Sequence, residues 1–185
     1  MRRSNAPRNP YRRTNRSRPL TGGARGANLS RVKRRRSTTR KASRSDASGD
    51  AELVRLARAA LRRAHSPYSG VRVGAALRAT DGTVFTGCNV ENASYGLTLC
   101  AERVAVSKAV SEGATEFTTI AIASNKTPAA AKQGTKALMP CGACRQTLHE
   151  FAPNLRVLVA GPRGSVRATT LPKLLPHAFG PRDLR

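Results

Sequence analysis

Three of the four cysteines in this 185-residue sequence stand at spacings that suit a metal ion. Cys141 and Cys144 are separated by two residues in the segment MPCGACRQ, and Cys100 opens the earlier segment CAERV. If each segment begins a helix, free backbone N–H groups and the positive helix end favour thiolates there. Three sulfurs would bind Zn²⁺ and leave its fourth position open, which is typical of a catalytic rather than a structural zinc.

Glu102 lies two residues after Cys100, where it can point at that open position without binding the metal. Such a carboxylate can act as a general acid and base beside a zinc-bound water. A glutamate in a first helical turn also serves as a cap or favours the dipole, so the ordinary interpretation stays open. A redox-active CxxC pair is a further alternative. A structural zinc would need a fourth ligand, for which the candidates are Cys88, His65, His149 and His177.

The elements around these residues indicate an α/β layered domain. We expect the helices and strands to alternate in a way that places Cys100 and Cys141 at two helix starts. The predicted order is a helix ending at Ser66, strands over 71–79 and 83–92, a helix over 100–113, a strand over 118–124, a helix over 140–151, a strand over 155–161 and a short helix over 171–179.

Residues 1–50 have a different composition from the remainder of the chain. They hold 16 of the 34 Lys and Arg residues but only two of the ten acidic ones. Their few large apolar residues cannot offset the chain entropy, so we predict a disordered basic extension over 1–50 and one domain over 51–185. The extension is suited to non-specific contact with nucleic acid, and its composition is also typical of an organelle transit peptide.

The sequence indicates neither a membrane span nor a secretory signal. It has no run of 18 apolar residues, and the charged N-terminus lacks an apolar core. We therefore expect a cytoplasmic protein without membrane contact, in a compartment where cysteines bind metals more often than they form disulfides.

The motifs CAE and PCGACRQ resemble the signature of the zinc deaminases that use three cysteine ligands. More closely, the chain resembles the homotetrameric zinc-dependent cytidine deaminases. The matching segments follow the family order and are PYSGVRVGAAL (67–77), GCNVENASYGLTLCAERVAVSKAVSEG (87–113), PCGACRQTLHEF (140–151) and LLPHAFGPRDL (174–184).

The resemblance implies a three-layer α/β/α sandwich around a mixed β-sheet and hydrolytic deamination of free cytidine and deoxycytidine, a reaction of pyrimidine salvage. It implies that Cys100, Cys141 and Cys144 bind one Zn²⁺ per subunit. A zinc-activated water would attack C4 of cytosine, while Glu102 would carry protons between that water and the base.

The resemblance also assigns residues to the substrate and to the metal surroundings. Asn89 and Glu91 of the NVEN segment would hold the ribose 3′-hydroxyl. Tyr95 and Phe179 would reach the nucleoside across subunit boundaries of a homotetramer with shared active sites. Arg103 would withdraw charge from the three thiolates and so strengthen the pull of zinc on its water.

Val71 departs from the family pattern. The family usually has an aromatic residue at this position, facing the pyrimidine ring. Val71 would replace stacking by aliphatic contact, which affects the affinity for the base rather than the type of reaction.

Two other kinds of function stay open. One is a deaminase of a different cytosine compound, either an antibiotic nucleoside or a polynucleotide. The other is a basic nucleic-acid-binding protein with a structural zinc, whose binding arm would be RVKRRRSTTRKASR at 31–44. In the family, however, NVEN binds a ribose hydroxyl that is esterified in a polynucleotide, and a structural zinc leaves Glu102 unexplained.

Overall fold

The computed structural model describes residues 44–126, 138–161 and 164–184, and most of the predicted basic extension lies outside these ranges. The helices in the described ranges are α1 (Arg44–Leu61), α2 (Ala101–Ser111), α3 (Gly142–Phe151) and α4 (Leu171–Leu174). The strands are β1 (Val73–Ala79), β2 (Val84–Cys88), β3 (Phe117–Ser124), β4 (Arg156–Ala160) and β5 (Val166–Thr170). Short 3₁₀ turns cover Tyr95–Leu97 and Pro181–Leu184.

The described strands form one mixed sheet in the order β2-β1-β3-β4-β5. Strands β3 and β4 run parallel, with Ile120 opposite Val157, and the other neighbouring pairs are antiparallel. The β3–β4 connection contains α3, as a parallel pair requires a crossover. The mixed sheet of the implied fold is therefore confirmed.

Helices cover both faces of the sheet, which gives the three expected layers. On one face α1 buries Leu53, Val54 and Ala57 against Ala76, Ala121, Ala123 and Leu158. On the other face α2, α3 and α4 pack over a larger cluster, which includes Leu77, Ile120, Ile122, Ala105 and Leu148. Alternate residues of β1 and β3 serve the two clusters, as the two-residue repeat of a strand requires.

Two glycines let a helix approach the sheet more closely than any side chain would allow. A Cβ at Gly74 of β1 would lie 2.1 Å from the carbonyl oxygen of Ala57 in α1. A Cβ at Gly87 of β2 would lie 2.4 Å from the carbonyl oxygen of Ala101, in the first turn of α2. The position of the α2 N-terminus, next to Cys100, therefore depends on the missing side chain at Gly87.

Several element boundaries differ from the sequence prediction. Strand β5 was not predicted, because its sequence VRATT is mostly exposed at the sheet edge and carries no run of buried apolar residues. The predicted strand over 83–92 ends at Cys88, since the chain then leaves the sheet to form bridges with His65 and Leu99. Helix α4 is only four residues long and ends before Pro176, which has no N–H to continue it.

Helix α1 begins at Arg44, before the predicted domain boundary at residue 51. Contacts with the sheet hold this first part of the helix. Arg78 donates to the carbonyl oxygen of Gly49 at 2.7 Å, and Arg156 forms an ion pair with Asp50. Among the described helices, none is long and apolar enough to cross a membrane.

Candidate metal centre and substrate pocket

Cys100 and Cys141 occupy equivalent positions at the starts of two helices. Cys100 is the N-cap residue of α2 and Cys141 is that of α3, both with extended backbone. Their carbonyl oxygens accept the first helical hydrogen bonds, from Val104 and Arg145. Neither sulfur caps its own helix, so both are free to point toward a shared centre. The prediction that these cysteines begin two helices is confirmed.

The three predicted ligand sulfurs lie together. The Sγ atoms of Cys100 and Cys141 are 3.9 Å apart, and those of Cys141 and Cys144 are 3.5 Å apart. Sulfurs bound tetrahedrally to zinc at about 2.3 Å are about 3.8 Å from one another. The spacing therefore fits one zinc ion, and Cys100, Cys141 and Cys144 would hold it.

The fourth-ligand candidates do not join this group. Within the described ranges, no histidine, carboxylate or further cysteine lies close enough to the three sulfurs to bind the same metal ion. Cys88 is half-buried in β2 rather than fully buried, and His149 lies on α3 with its ring 3.6 Å from where a Cβ of Gly180 would stand. The arrangement suits a zinc with three protein ligands, the type that leaves a position for water or substrate.

The sulfurs strongly influence one another's protonation. The Cys144 thiol donates to Cys100 and, with help from Cys141 and the Arg103 guanidinium, lowers the pKa of Cys100 to about 6. The pKa of Cys144 is raised in turn, chiefly because its proton is shared with Cys100 and because it is buried. One thiolate forms readily, but its negative charge opposes deprotonation of the neighbouring thiols. A bound cation is therefore needed to hold all three sulfurs in the thiolate form.

Arg103 and Glu102 follow Cys100 in the first turn of α2 and differ in their surroundings. Arg103 is half-buried, and its positive charge helps to lower the pKa of the Cys100 thiol. Glu102 is only 4% exposed. Burial raises the pKa of the Glu102 carboxyl, and the negative charge of Cys100 adds to this. A buried carboxyl facing a metal site is suited to holding and releasing a proton, whereas a dipole-favouring glutamate would be solvated.

A pocket of about 260 Å³ opens beside the sulfurs. The pocket is lined by predicted zinc ligands, by the predicted proton carrier Glu102, and by other polar and aliphatic side chains. The members of the predicted site in it are Cys100, Cys141, Glu102, Asn89, Glu91 and Val71. The other lining residues are Val73, Thr98, Leu99, Ala101, Ile122, Leu138 and Met139.

The NVEN segment reaches the metal ligands through a short backbone bridge. Val90 and Leu99 exchange two hydrogen bonds of 2.9 and 3.0 Å, so the two ends of the loop between β2 and α2 lie side by side. This bridge brings Asn89 and Glu91 next to Cys100 on the pocket wall. Both residues are 8% exposed.

Asn89 holds the chain segment that forms the opposite wall. Its Oδ1 accepts from the Val73 N–H at 2.7 Å, and its Nδ2 donates to the Val71 carbonyl oxygen at 2.9 Å. An amide group has two donor hydrogens and two acceptor positions, so one of each remains for a ligand. The side chain thus fixes Val71 in the pocket wall and retains capacity for binding.

Glu91 is held by a turn that the sequence analysis did not single out. Its Oε2 accepts from the backbone N–H groups of Tyr68 and Ser69, at 3.0 and 3.2 Å, and its Oε1 accepts from the Ser69 hydroxyl. These hydrogen bonds keep the pKa of the Glu91 carboxyl below its ordinary value, and the bond from the Ser69 hydroxyl has the largest effect. Glu91 is therefore an ionised acceptor at neutral pH.

Tyr95 and Phe179 lie outside the pocket of their own chain. Tyr95 is 67% exposed and stacks edge-on with Tyr68 at 5.9 Å between ring centres. Phe179 is 58% exposed and does not pack in the core of its own chain. Gln146 of α3 donates to the Phe179 carbonyl oxygen at 2.7 Å and holds that segment in place. Their predicted contact with a neighbouring subunit stays a prediction.

Comparison with known proteins agrees with this arrangement. Residues 47–160 match the family model for the cytidine and deoxycytidylate deaminase zinc-binding region. A cytidine deaminase of Sporosarcina psychrophila is 42% identical over 134 residues, which cover 72% of this chain and 93% of that protein. The blasticidin-S deaminase of Bacillus cereus is 31% identical over 107 residues, covering 58% and 76%.

A solved structure supports the same assignment at the level of the fold. The cytidine deaminase of Burkholderia pseudomallei superposes with a TM-score of 0.63 at 44% identity, covering 69% of this chain and 97% of that one. The matched family region contains the three sulfurs, Glu102 and the NVEN segment. The chain therefore belongs to the cytidine and deoxycytidylate deaminase zinc-binding family.

Proposed function

We propose that this protein is a zinc-dependent hydrolase that deaminates free cytidine and deoxycytidine to uridine and deoxyuridine. The observation that carries the proposal is a pocket beside the three convergent sulfurs, whose wall also holds a buried carboxyl at Glu102 and two polar side chains at Asn89 and Glu91. A structural zinc module has no use for the last three groups.

Cys100, Cys141 and Cys144 would hold the metal through their thiolates. Bound zinc lowers the pKa of a coordinated water toward about 7 and so supplies a nucleophile at neutral pH. Arg103 offsets part of the negative charge of the thiolates, because its guanidinium already attracts the Cys100 sulfur electrostatically.

Glu102 would carry the protons of the reaction. Its carboxylate would take one proton from the attacking water and deliver it to N3 of cytosine. It would then take the second proton from the new hydroxyl on C4 and pass it to the amino group, which leaves as ammonia while the C4 carbonyl forms. Burial suits this cycle, because it raises the pKa of the Glu102 carboxyl toward the working pH. The Cys100 and Glu102 positions, two residues apart at one helix start, support this division of roles.

The remaining pocket residues would recognise a nucleoside. Asn89 and Glu91 present an amide and an ionised carboxylate to a sugar hydroxyl, and Val71 with Ile122 presents an aliphatic surface to the base. Tyr95 and Phe179 are exposed on their own chain, which suits contact with neighbouring subunits of a homotetramer. We place the enzyme in the cytoplasm on the sequence arguments alone.

A comparison of turnover on different substrates tests this proposal against its alternatives. The zinc-loaded protein is assayed for ammonia release with cytidine, deoxycytidine, a cytosine-containing single-stranded RNA and blasticidin S. We expect kcat/KM for a free nucleoside to exceed that for the RNA and for blasticidin S at least about a hundred-fold, because polar groups built for a sugar hydroxyl reject ligands without it. Faster turnover of RNA or of blasticidin S would overturn the proposed substrate class.

A further inference from the structure

The Ser69 hydroxyl joins two residues of the pocket wall. It accepts a hydrogen bond from the Val71 N–H at 2.9 Å and donates to Oε1 of Glu91. A hydroxyl has one hydrogen, and the Val71 N–H occupies a lone pair, so the hydrogen of Ser69 is directed at Glu91. Ser69 is therefore more than a turn residue, because it orients the carboxylate that faces the pocket.

The hydrogen bonds at Glu91 leave a defined remaining capacity. A carboxylate has about four acceptor positions, two on each oxygen. The N–H groups of Tyr68 and Ser69 use both positions of Oε2, and the Ser69 hydroxyl uses one on Oε1. A single position, on Oε1, remains for a donor in the pocket.

The turn is held from the other side as well. Lys126 Nζ donates to the Ser69 carbonyl oxygen at 2.9 Å, and Asn125 Nδ2 donates to the Gly70 carbonyl oxygen at 3.0 Å. The backbone of the turn therefore does not depend on the Ser69 hydroxyl alone. Removing that hydroxyl should leave the turn and the two N–H bonds to Oε2 in place, while Oε1 of Glu91 loses the described group that orients it.

We propose that Ser69 is a positioning residue, which fixes Glu91 so that one acceptor position on Oε1 receives one sugar hydroxyl of the nucleoside. The inference rests on the proposed function, since it concerns how the same pocket selects its substrate. It assigns sugar recognition to a unit of two side chains, Ser69 and Glu91, rather than to Glu91 alone.

The test compares Ser69→Ala with the unchanged enzyme on cytidine, 2′-deoxycytidine and 3′-deoxycytidine. In the unchanged enzyme, the deoxy analogue that turns over with the lower kcat/KM identifies the hydroxyl that is bound. In Ser69→Ala we expect kcat/KM to fall about five- to ten-fold for the substrates that keep this hydroxyl, mainly through KM, since one charge-assisted hydrogen bond is weakened. The analogue without the hydroxyl should change less than about two-fold.

Two further variants separate positioning from loss of structure. Ser69→Thr keeps a hydroxyl and should restore the discrimination, whereas Ser107→Ala removes an exposed hydroxyl of α2 and should change none of the three substrates. The inference would be overturned if kcat/KM in Ser69→Ala fell equally for all three substrates or fell for none of them. It would also be overturned if the unchanged enzyme turned over both deoxy analogues as well as cytidine. An unchanged enzyme that deaminates none of the three would instead refute the proposed function.

Discussion

The substitution Gly87→Ala tests how the sheet positions the metal ligands. The new Cβ would lie 2.4 Å from the Ala101 carbonyl oxygen and 2.5 Å from the Ala105 nitrogen, both backbone atoms of α2. Real Cβ contacts essentially never fall below 3.0 Å, so the helix must retreat by about 0.6 Å or more. Cys100 and Glu102 move with it, because they form the start of α2.

The size of that shift sets the expected effects. Overpacking of a core costs about 1–3 kcal/mol, and we expect about 3 kcal/mol here because the opposing atoms are backbone. The metal tolerates ligand displacements of about 0.2 Å, so a shift of about 0.6 Å should weaken zinc binding at least about ten-fold. Urea unfolding measures the first effect, and competition with a chromophoric chelator measures the second.

Two matched substitutions make this prediction specific. Gly74→Ala places a Cβ 2.1 Å from the Ala57 carbonyl oxygen, on the α1 face of the sheet, and should destabilise the fold while zinc affinity stays within about three-fold. Gly96→Ala meets no described atom within 4 Å and should change neither property. If Gly87→Ala binds zinc as tightly as Gly74→Ala does, the argument that Gly87 positions the ligands fails.

Three other predictions address the carboxylates and the support of α3. Glu102→Gln should keep zinc bound and lower kcat by about 10²-fold or more, because the amide cannot carry the proton; near-normal turnover would refute the role of Glu102. The pKa of Glu91 is lowered in the fold, so its contribution to stability is complete above its ordinary value of 4.5 and is lost as pH falls below it. Between pH 6 and pH 3, the Glu91→Gln variant should therefore lose less of its free energy of unfolding, measured with urea, than the unchanged protein loses. An equal loss in the two proteins would contradict this. Arg145 donates to the carbonyl oxygens of Pro140 and Leu174 at 2.9 and 2.7 Å. Arg145→Ala should therefore lower the free energy of unfolding by about 1–3 kcal/mol. The control Arg63→Ala, at an exposed position, should lower it by less than about 0.5 kcal/mol. Equal effects of the two substitutions would show that the Arg145 hydrogen bonds contribute nothing to stability.

The metal centre could be predicted from sequence because its residues depend on local structure. Cys100 and Cys141 each begin a helix whose start is visible in a short motif, and Cys144 follows one turn later. The layered fold was also predictable, since β3 and β4 are apolar runs buried on both faces. Family resemblance then implied the three-layer sandwich and a single zinc ion shared by the three cysteines.

Other features depend on contacts between distant segments and carry little local signal. Ser69 looks like an ordinary turn residue until Glu91 is placed beside it, 22 residues away in sequence. Gly87 looks like a weak strand residue until α2 lies against it. Strand β5 gains its pairing from β4 rather than from an apolar pattern of its own.

The proposed chemistry depends on a zinc ion held by three thiolates, with its fourth position left to water or substrate. X-ray absorption at the zinc edge of the purified, zinc-loaded protein measures this coordination. We expect one zinc per chain with three sulfurs at about 2.3 Å and one oxygen at about 2.0 Å, the three sulfurs being those of Cys100, Cys141 and Cys144. A shell of four sulfurs, or one in which a histidine nitrogen takes the fourth position, would contradict it.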